Sequence, residues 1–196
     1  MARPVQVDRS KALRVAEGIF WRQGFTATPM SQLLEEMKLG SGSFYAAFGS
    51  KPGLFARVIE AYSGWSEAKF KKIRATHQGL DAIAEFLEST LVNVPDTDRR
   101  KGCLLVNTVL ELEGVDAELH QLAVEGLKFL EQQLTVHVQE AMDSGQLREG
   151  LTVPAAVAVL MTTIQGLRVE SRTGLSRQEA HMRVRVLIGL LSTTSA

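Results

Sequence analysis

Cysteine is all but missing from the 196 residues: Cys103 stands alone, which excludes an intramolecular disulfide and any thiolate metal cluster built by one chain. A reducing cytoplasm fits that usage. Neither sign of charge dominates, with 22 Lys and Arg against 22 Asp and Glu, so no strongly basic or acidic character announces a partner. The first ten residues lack the apolar stretch of a secretory signal. The longest uncharged run, 150–167, is interrupted by Thr152, Pro154, Thr162, Thr163 and Gln165. It lies near the lower length limit for a bilayer span and is read as a buried or interface helix, with no membrane partner. The four histidines (His77, His120, His137, His181) are scattered, without metal-ligand spacing, and no Ser or Cys has an evident base nearby in sequence. Catalysis, a metal and a cofactor are therefore not expected.

What is present is the composition of an ordinary globular protein, 45% hydrophobic and 22% charged, ruling out disorder and collagen-like repeats. The neutral average conceals a split, because residues 1–57 carry an excess of basic side chains and the remainder a matching excess of acidic ones. A basic head on an acidic body suits a module that meets a polyanion.

Periodicity is helical almost throughout, with no sustained period-two alternation, which predicts an all-α fold of about nine helices. The first helix starts near Asp8 or Arg9, carries Leu13, Ala16 and Phe20 on one face, and ends at Gly24. Thr28 is expected to cap a second, short helix, with Pro29 in its first position, ending near Met37. A glycine-bearing turn then leads to a two-turn helix with Phe44, Tyr45 and Phe48, stopped by Gly49. Ser50 opens a longer helix reaching toward His77, roughly 40 Å at 1.5 Å per residue. Later helices are expected at about 80–94, 101–112, 116–143, 153–173 and 177–192. Residues 94–100 form the interior loop, and Ser176 with Glu179 a capping box.

Two short helices joined by a tight turn make a helix-turn-helix, whose second helix is small enough to enter the DNA major groove. Over residues 11–57 the ordered set Ala16, Phe20, Gly24, Phe25, Thr28, Leu33, Leu39, Gly42, Tyr45, Phe48, Lys51 and Leu54 resembles the DNA-binding domain of TetR-family transcriptional regulators. That resemblance implies a three-helix DNA-binding head at 1–52, followed by an effector-binding and dimerisation body at 53–196. It further implies phosphate contacts from Thr28, Tyr45 and Lys51, which position without choosing sequence. Ser41, Gly42, Ser43 and Ala46, small residues on or beside the second helix, are the candidates for base readout. The sequence departs from the common family pattern at Gly40, where a Ser or Thr usually caps; at Ser41, where Lys or Arg is usual; and at Ala46-Ala47, in place of a Tyr-His pair.

Composition carries the body. Val157, Leu160, Met161 and Ile164, with Ala180, Val184, Leu187 and Leu191, form two apolar faces, expected to join two chains through a four-helix interface, the bland alternative being an ordinary core. Asn107, Thr108, His137, Thr162 and Gln165 are polar positions on apolar helices and the candidates for an effector pocket. Cys103 follows Arg99-Arg100-Lys101 at an expected helix start, where cations and N–H groups favour thiolate; Gly-Cys-Leu at 102–104 is similar to a motif of electrophile-sensing family members. The expectation is a cytoplasmic, homodimeric repressor released from a palindromic DNA operator by a small molecule or electrophile. The alternative is a helical small-molecule carrier or adaptor with a vestigial head.

Overall fold

The computed structural model describes residues 8–193. Among these there is no strand, only an isolated antiparallel bridge between Leu147 and Ser192, and ten α-helical segments, nine of them at least eight residues long. They fall into two compact units.

The first unit comprises residues 8–63 and 104–126 of those described. Helix α1 (Arg9–Gln23) begins where the Asp8 carboxylate accepts the Lys11 N–H at 3.1 Å, buries Ala12, Ala16, Ile19 and Phe20, and ends at Gly24, whose φ of +88° suits glycine. Helix α2 (Met30–Met37) is capped by Pro29 with no side-chain hydrogen bond. This corrects the capping expected of Thr28. Its hydroxyl instead donates to Gly24 O at 2.6 Å and accepts from the Gln23 side chain at 3.1 Å, tying the end of α1 to the start of α2. The turn into α3 (Ser41–Phe48) reverses at Lys38, with φ 55°, rather than at a glycine. Gly40 caps α3 in extended geometry, and Gly49 ends it.

Helix α4 (Lys51–Arg74) opens with the Ser50 hydroxyl accepting the Gly53 N–H at 3.0 Å. It stops three residues short of the expected end, giving roughly 36 Å at 1.5 Å per residue. Gly53 is required by close packing, because a Cβ there would sit 2.6 Å from Phe48 O. Leu54, Phe55, Val58 and Ile59 are buried, Phe55 lying 4.7 Å from Phe20 and 5.2 Å from Phe25 between ring centroids. Helix α7 (Leu104–Leu112) and the first turns of α8 (Ala117–Asp143) complete the unit.

The second unit comprises residues 64–103 and 127–193 of those described. Its core joins Phe70 and Ile73 of α4 to α5 (Gly79–Leu87), the rest of α8, α9 (Val153–Arg172) and α10 (Arg177–Leu191). Phe70 and Phe86 stack at 4.1 Å. Helix α5 stops at Leu87 and runs on as a π turn, Glu88–Val92, closed by Asn93 N–H to Glu88 O at 2.7 Å. The expected loop at 94–100 contains a helical turn, α6 (Asp96–Arg99), held because the buried Arg99 guanidinium donates to Asp96, Val92 O and Leu175 O. The capping box forms as read, with Glu179 N–H to Ser176 Oγ at 3.2 Å and Ser176 N–H to Glu179 at 2.9 Å.

One expectation is overturned here. Val157, Leu160, Ile164, Ala180, Val184, Leu187 and Leu191, expected between two chains, are buried in this chain's own core, with Met161 packed partly buried against it. Periodicity identifies an apolar face but not what covers it. A second strip of α9 and α10 faces outward instead: Val159, Val169, Met182, Val186 and Leu190 are exposed. Between the two helices lies a groove of roughly 380 Å³ lined by Val159, Thr163, Gly166, Met182, Val186 and Leu190 among others.

Candidate functional site

Helix α3 is two turns long, so its faces divide cleanly. Phe44, Ala47 and Phe48 point inward, and Ser41, Gly42, Ser43, Tyr45 and Ala46 are all exposed. No long side chain rises from the outward face except Tyr45, 53% exposed, which stands edge-on to Phe44 at 5.4 Å. A backbone so lightly covered can approach a groove floor closely, while serine hydroxyls donate or accept at base edges. Ala47 is buried, so of the Ala46-Ala47 pair only Ala46 faces outward.

Lys51 is the first residue of α4, and its Nζ sits 4.4 Å above the Phe25 ring, a cation–π seat that fixes a flexible side chain. Partial burial lowers its ammonium below the usual lysine range, while the Glu111 carboxylate pulls the other way. A lysine beside a helix N-terminus is a ready phosphate contact. Thr28 is different. Its side chain is wholly buried, and its N–H donates to Phe25 O at 3.2 Å.

Sequence reasoning missed Glu111. From the last turn of α7 its carboxylate accepts the N–H groups of Thr26 at 2.7 Å and Phe25 at 3.0 Å. A charged residue near the end of a short helix carries no spacing signal toward a turn 85 positions away.

The effector candidates scatter in character. Thr108 is buried, but its hydroxyl donates to Leu104 O at 2.8 Å in its own helix. Asn107 and Gln165 are half-buried, and Thr162 is exposed. Cys103 is buried immediately before α7, and two of the three cations preceding it are paired, Arg99 with Asp96 and Lys101 with Asp98 at 2.6 Å. His137 is fully buried 6.0 Å from Phe70, with Nδ1 2.8 Å from Glu140. Glu140 also accepts Gly79 N–H at 3.2 Å and pairs with Arg74 at 3.2 Å. Burial pushes the Glu140 carboxyl upward; the hydrogen bonds from His137 and Gly79 and the charges of His137 and Arg74 outweigh it and hold it below the usual range. A carboxylate only accepts, so Nδ1 carries the proton. Nε2 is buried without a hydrogen-bond partner among the described residues.

The described residues include no group of three or more side chains able to hold a metal ion, and no helix long and apolar enough to cross a membrane.

Known proteins share this fold. HTH-type transcriptional repressor ComR of Escherichia coli (strain K12) is 24% identical over 179 residues, covering 90% of this chain and 85% of that one. Reduced NemR of E. coli superposes with a TM-score of 0.80 at 18% identity, over 96% of this chain and 99% of that one. The TetR-family regulator CifR, a cysteine mutant solved with a 26bp double-strand operator DNA, gives a TM-score of 0.77 at 24% identity, over 97% and 100%. Residues 12–58 match the family model "Bacterial regulatory proteins, tetR family", and residues 79–186 the model "Tetracyclin repressor-like, C-terminal domain". With its helix-turn-helix so matched and more than half its length covered by the second model, the chain belongs to the TetR family of bacterial regulatory proteins.

Proposed function

We propose that the chain is a cytoplasmic homodimeric repressor that occupies a palindromic operator and leaves it when a small molecule binds. The outward face of α3 carries the reading: four small exposed residues, with Tyr45 on the same face and the seated Lys51. Residues 1–52 read DNA in this scheme, and residues 53–196 hold the effector and pair the chains. Tyr45 and Lys51 take phosphates, whereas Ser41, Gly42, Ser43 and Ala46 meet base edges. Thr28, being buried, serves by holding the α1–α2 turn. ComR is named as a repressor, and CifR was solved on operator DNA; both relations favour repression here.

Pairing is assigned to the outward strip of α9 and α10, not to the buried stripe. Gly166 supports this. It lies mid-helix, where glycine is unfavourable by about 1 kcal/mol, and a Cβ there would meet nothing within 4 Å of the chain itself. A second helix passing closely over it supplies the missing reason. Two paired heads then meet grooves about one turn apart, roughly 34–36 Å.

The effector is assigned to the second unit beside His137, whose buried Nε2 has no hydrogen-bond partner among the described residues and calls for one. That chemistry describes a mostly apolar molecule carrying one polar group, such as a hydroxyl, able to pair with an imidazole nitrogen. Selection of duplexes from a random pool, combined with sedimentation velocity, tests the scheme. Enriched palindromes bound by two chains are expected; a micromolar monomer with no enriched sequence would refute it.

A further inference from the structure

We propose that Glu111 is a positioning residue for operator binding: its carboxylate fixes the turn between α1 and α2, and through Phe25 of that turn it fixes the Lys51 ammonium. The contact is built from both sides. Thr26 and Phe25 donate adjacent backbone N–H groups to the two carboxylate oxygens at 2.7 and 3.0 Å. The preceding Gly24 has a positive φ, and a Cβ added to it would lie 2.5 Å from Glu111 Oε2. The turn is therefore moulded around the carboxylate, and no larger residue at 24 leaves room for it. Phe25, held by its N–H, presents the ring over which Lys51 Nζ lies at 4.4 Å. Charge-assisted hydrogen bonds of this kind are the stronger class.

Electrostatics make the inference testable by sign. A carboxylate near a DNA-facing lysine repels phosphate, so as a bystander its removal strengthens all DNA binding. As a positioning residue its removal weakens operator binding. The probes are the tightest duplex recovered from a random pool by the unaltered protein, roughly 30 base pairs to hold two half-sites, and a mixed-sequence duplex of equal length. Glu111→Ala is expected to bind both duplexes more weakly, the selected one at least tenfold, because a displaced Lys51 loses its phosphate contact on every sequence. Equal or tighter binding to both would overturn the proposal. Glu111→Gln, which keeps one oxygen for the Thr26 N–H, should fall between the two, and serves if the alanine variant does not fold. Amide exchange at Phe25 should quicken at least tenfold in either variant, and at Thr26 in Glu111→Ala, while Ile19 and Phe20 keep their protection; unchanged exchange would overturn the route. In a Lys51→Ala background Glu111→Ala should cost less affinity than in the unaltered chain, and an equal cost would overturn the link through Lys51. The proposal rests on the phosphate reading of Lys51 only for that link. Full operator affinity in Lys51→Ala alone would refute the phosphate contact and leave the turn contact standing.

Discussion

Ser43 is exposed and Lys51 half-buried, and on the proposed DNA-reading scheme they should fail in different ways. Lys51→Ala is expected to weaken every duplex by a similar factor and to lower the salt dependence of binding by about one counterion per chain. Ser43→Ala should alter which sequences are preferred, by about 1–3 kcal/mol between the old and new best base. Competition binding across a duplex panel at two salt concentrations separates the two, and a Lys51 variant with redirected base choice would reverse their roles. Cys103 gives a third residue-level expectation. Its thiol is buried and two neighbouring cations are engaged by Asp96 and Asp98, so alkylation by a maleimide should be slow in the folded chain and fast in denaturant. Rapid labelling of the native protein, followed by mass spectrometry, would return Cys103 to the sensing role suggested by Gly-Cys-Leu.

At the scale of the element, the Glu140 carboxylate ties the end of α4, the start of α5 and His137 of α8 through Arg74, Gly79 N–H and Nδ1. Its folded-state ionisation is favoured, so the stability it adds is present above the ordinary carboxylate range and is lost as pH falls through its lowered folded value. Glu140→Gln should therefore destabilise the chain by about 2 kcal/mol near neutral pH. The difference from the unaltered chain should vanish in acid, and a deficit that persists at low pH would contradict the assignment. Such ties explain how far the sequence could be read. Helix starts announced by Ser50 or by Ser176 with Glu179 were legible because a cap is a local signal. Other boundaries were decided by distant partners. The α6 turn exists because Arg99 reaches Leu175 O, 76 positions away, and Thr28 was taken from its expected capping role by Gly24 O and Gln23. The outward face of α3 was legible because Phe44 and Phe48 had to point inward, leaving the small residues outside. Glu111 was not, since nothing near it in sequence refers to the turn it holds.

For the whole molecule, the strip of Val159, Met182, Val186 and Leu190 was hidden by its neighbour: both strips of α9 and α10 are apolar, and only packing showed which one the chain keeps for itself. Val186→Glu places a charge in the outward groove without touching the core. It should leave the melting temperature of the isolated chain little changed, convert dimer to monomer at micromolar concentration, and reduce operator affinity by about a hundredfold through loss of the second head. A dimer that survives this change would move the pairing surface elsewhere. If the strip pairs the chains as proposed, it also decides inheritance. A copy whose α3 or Lys51 is ruined still carries an intact strip, so in a cell making both versions it draws good copies into one-headed pairs and behaves as a dominant allele. A copy broken at Val186 is shut out of such pairs, and its defect is recessive.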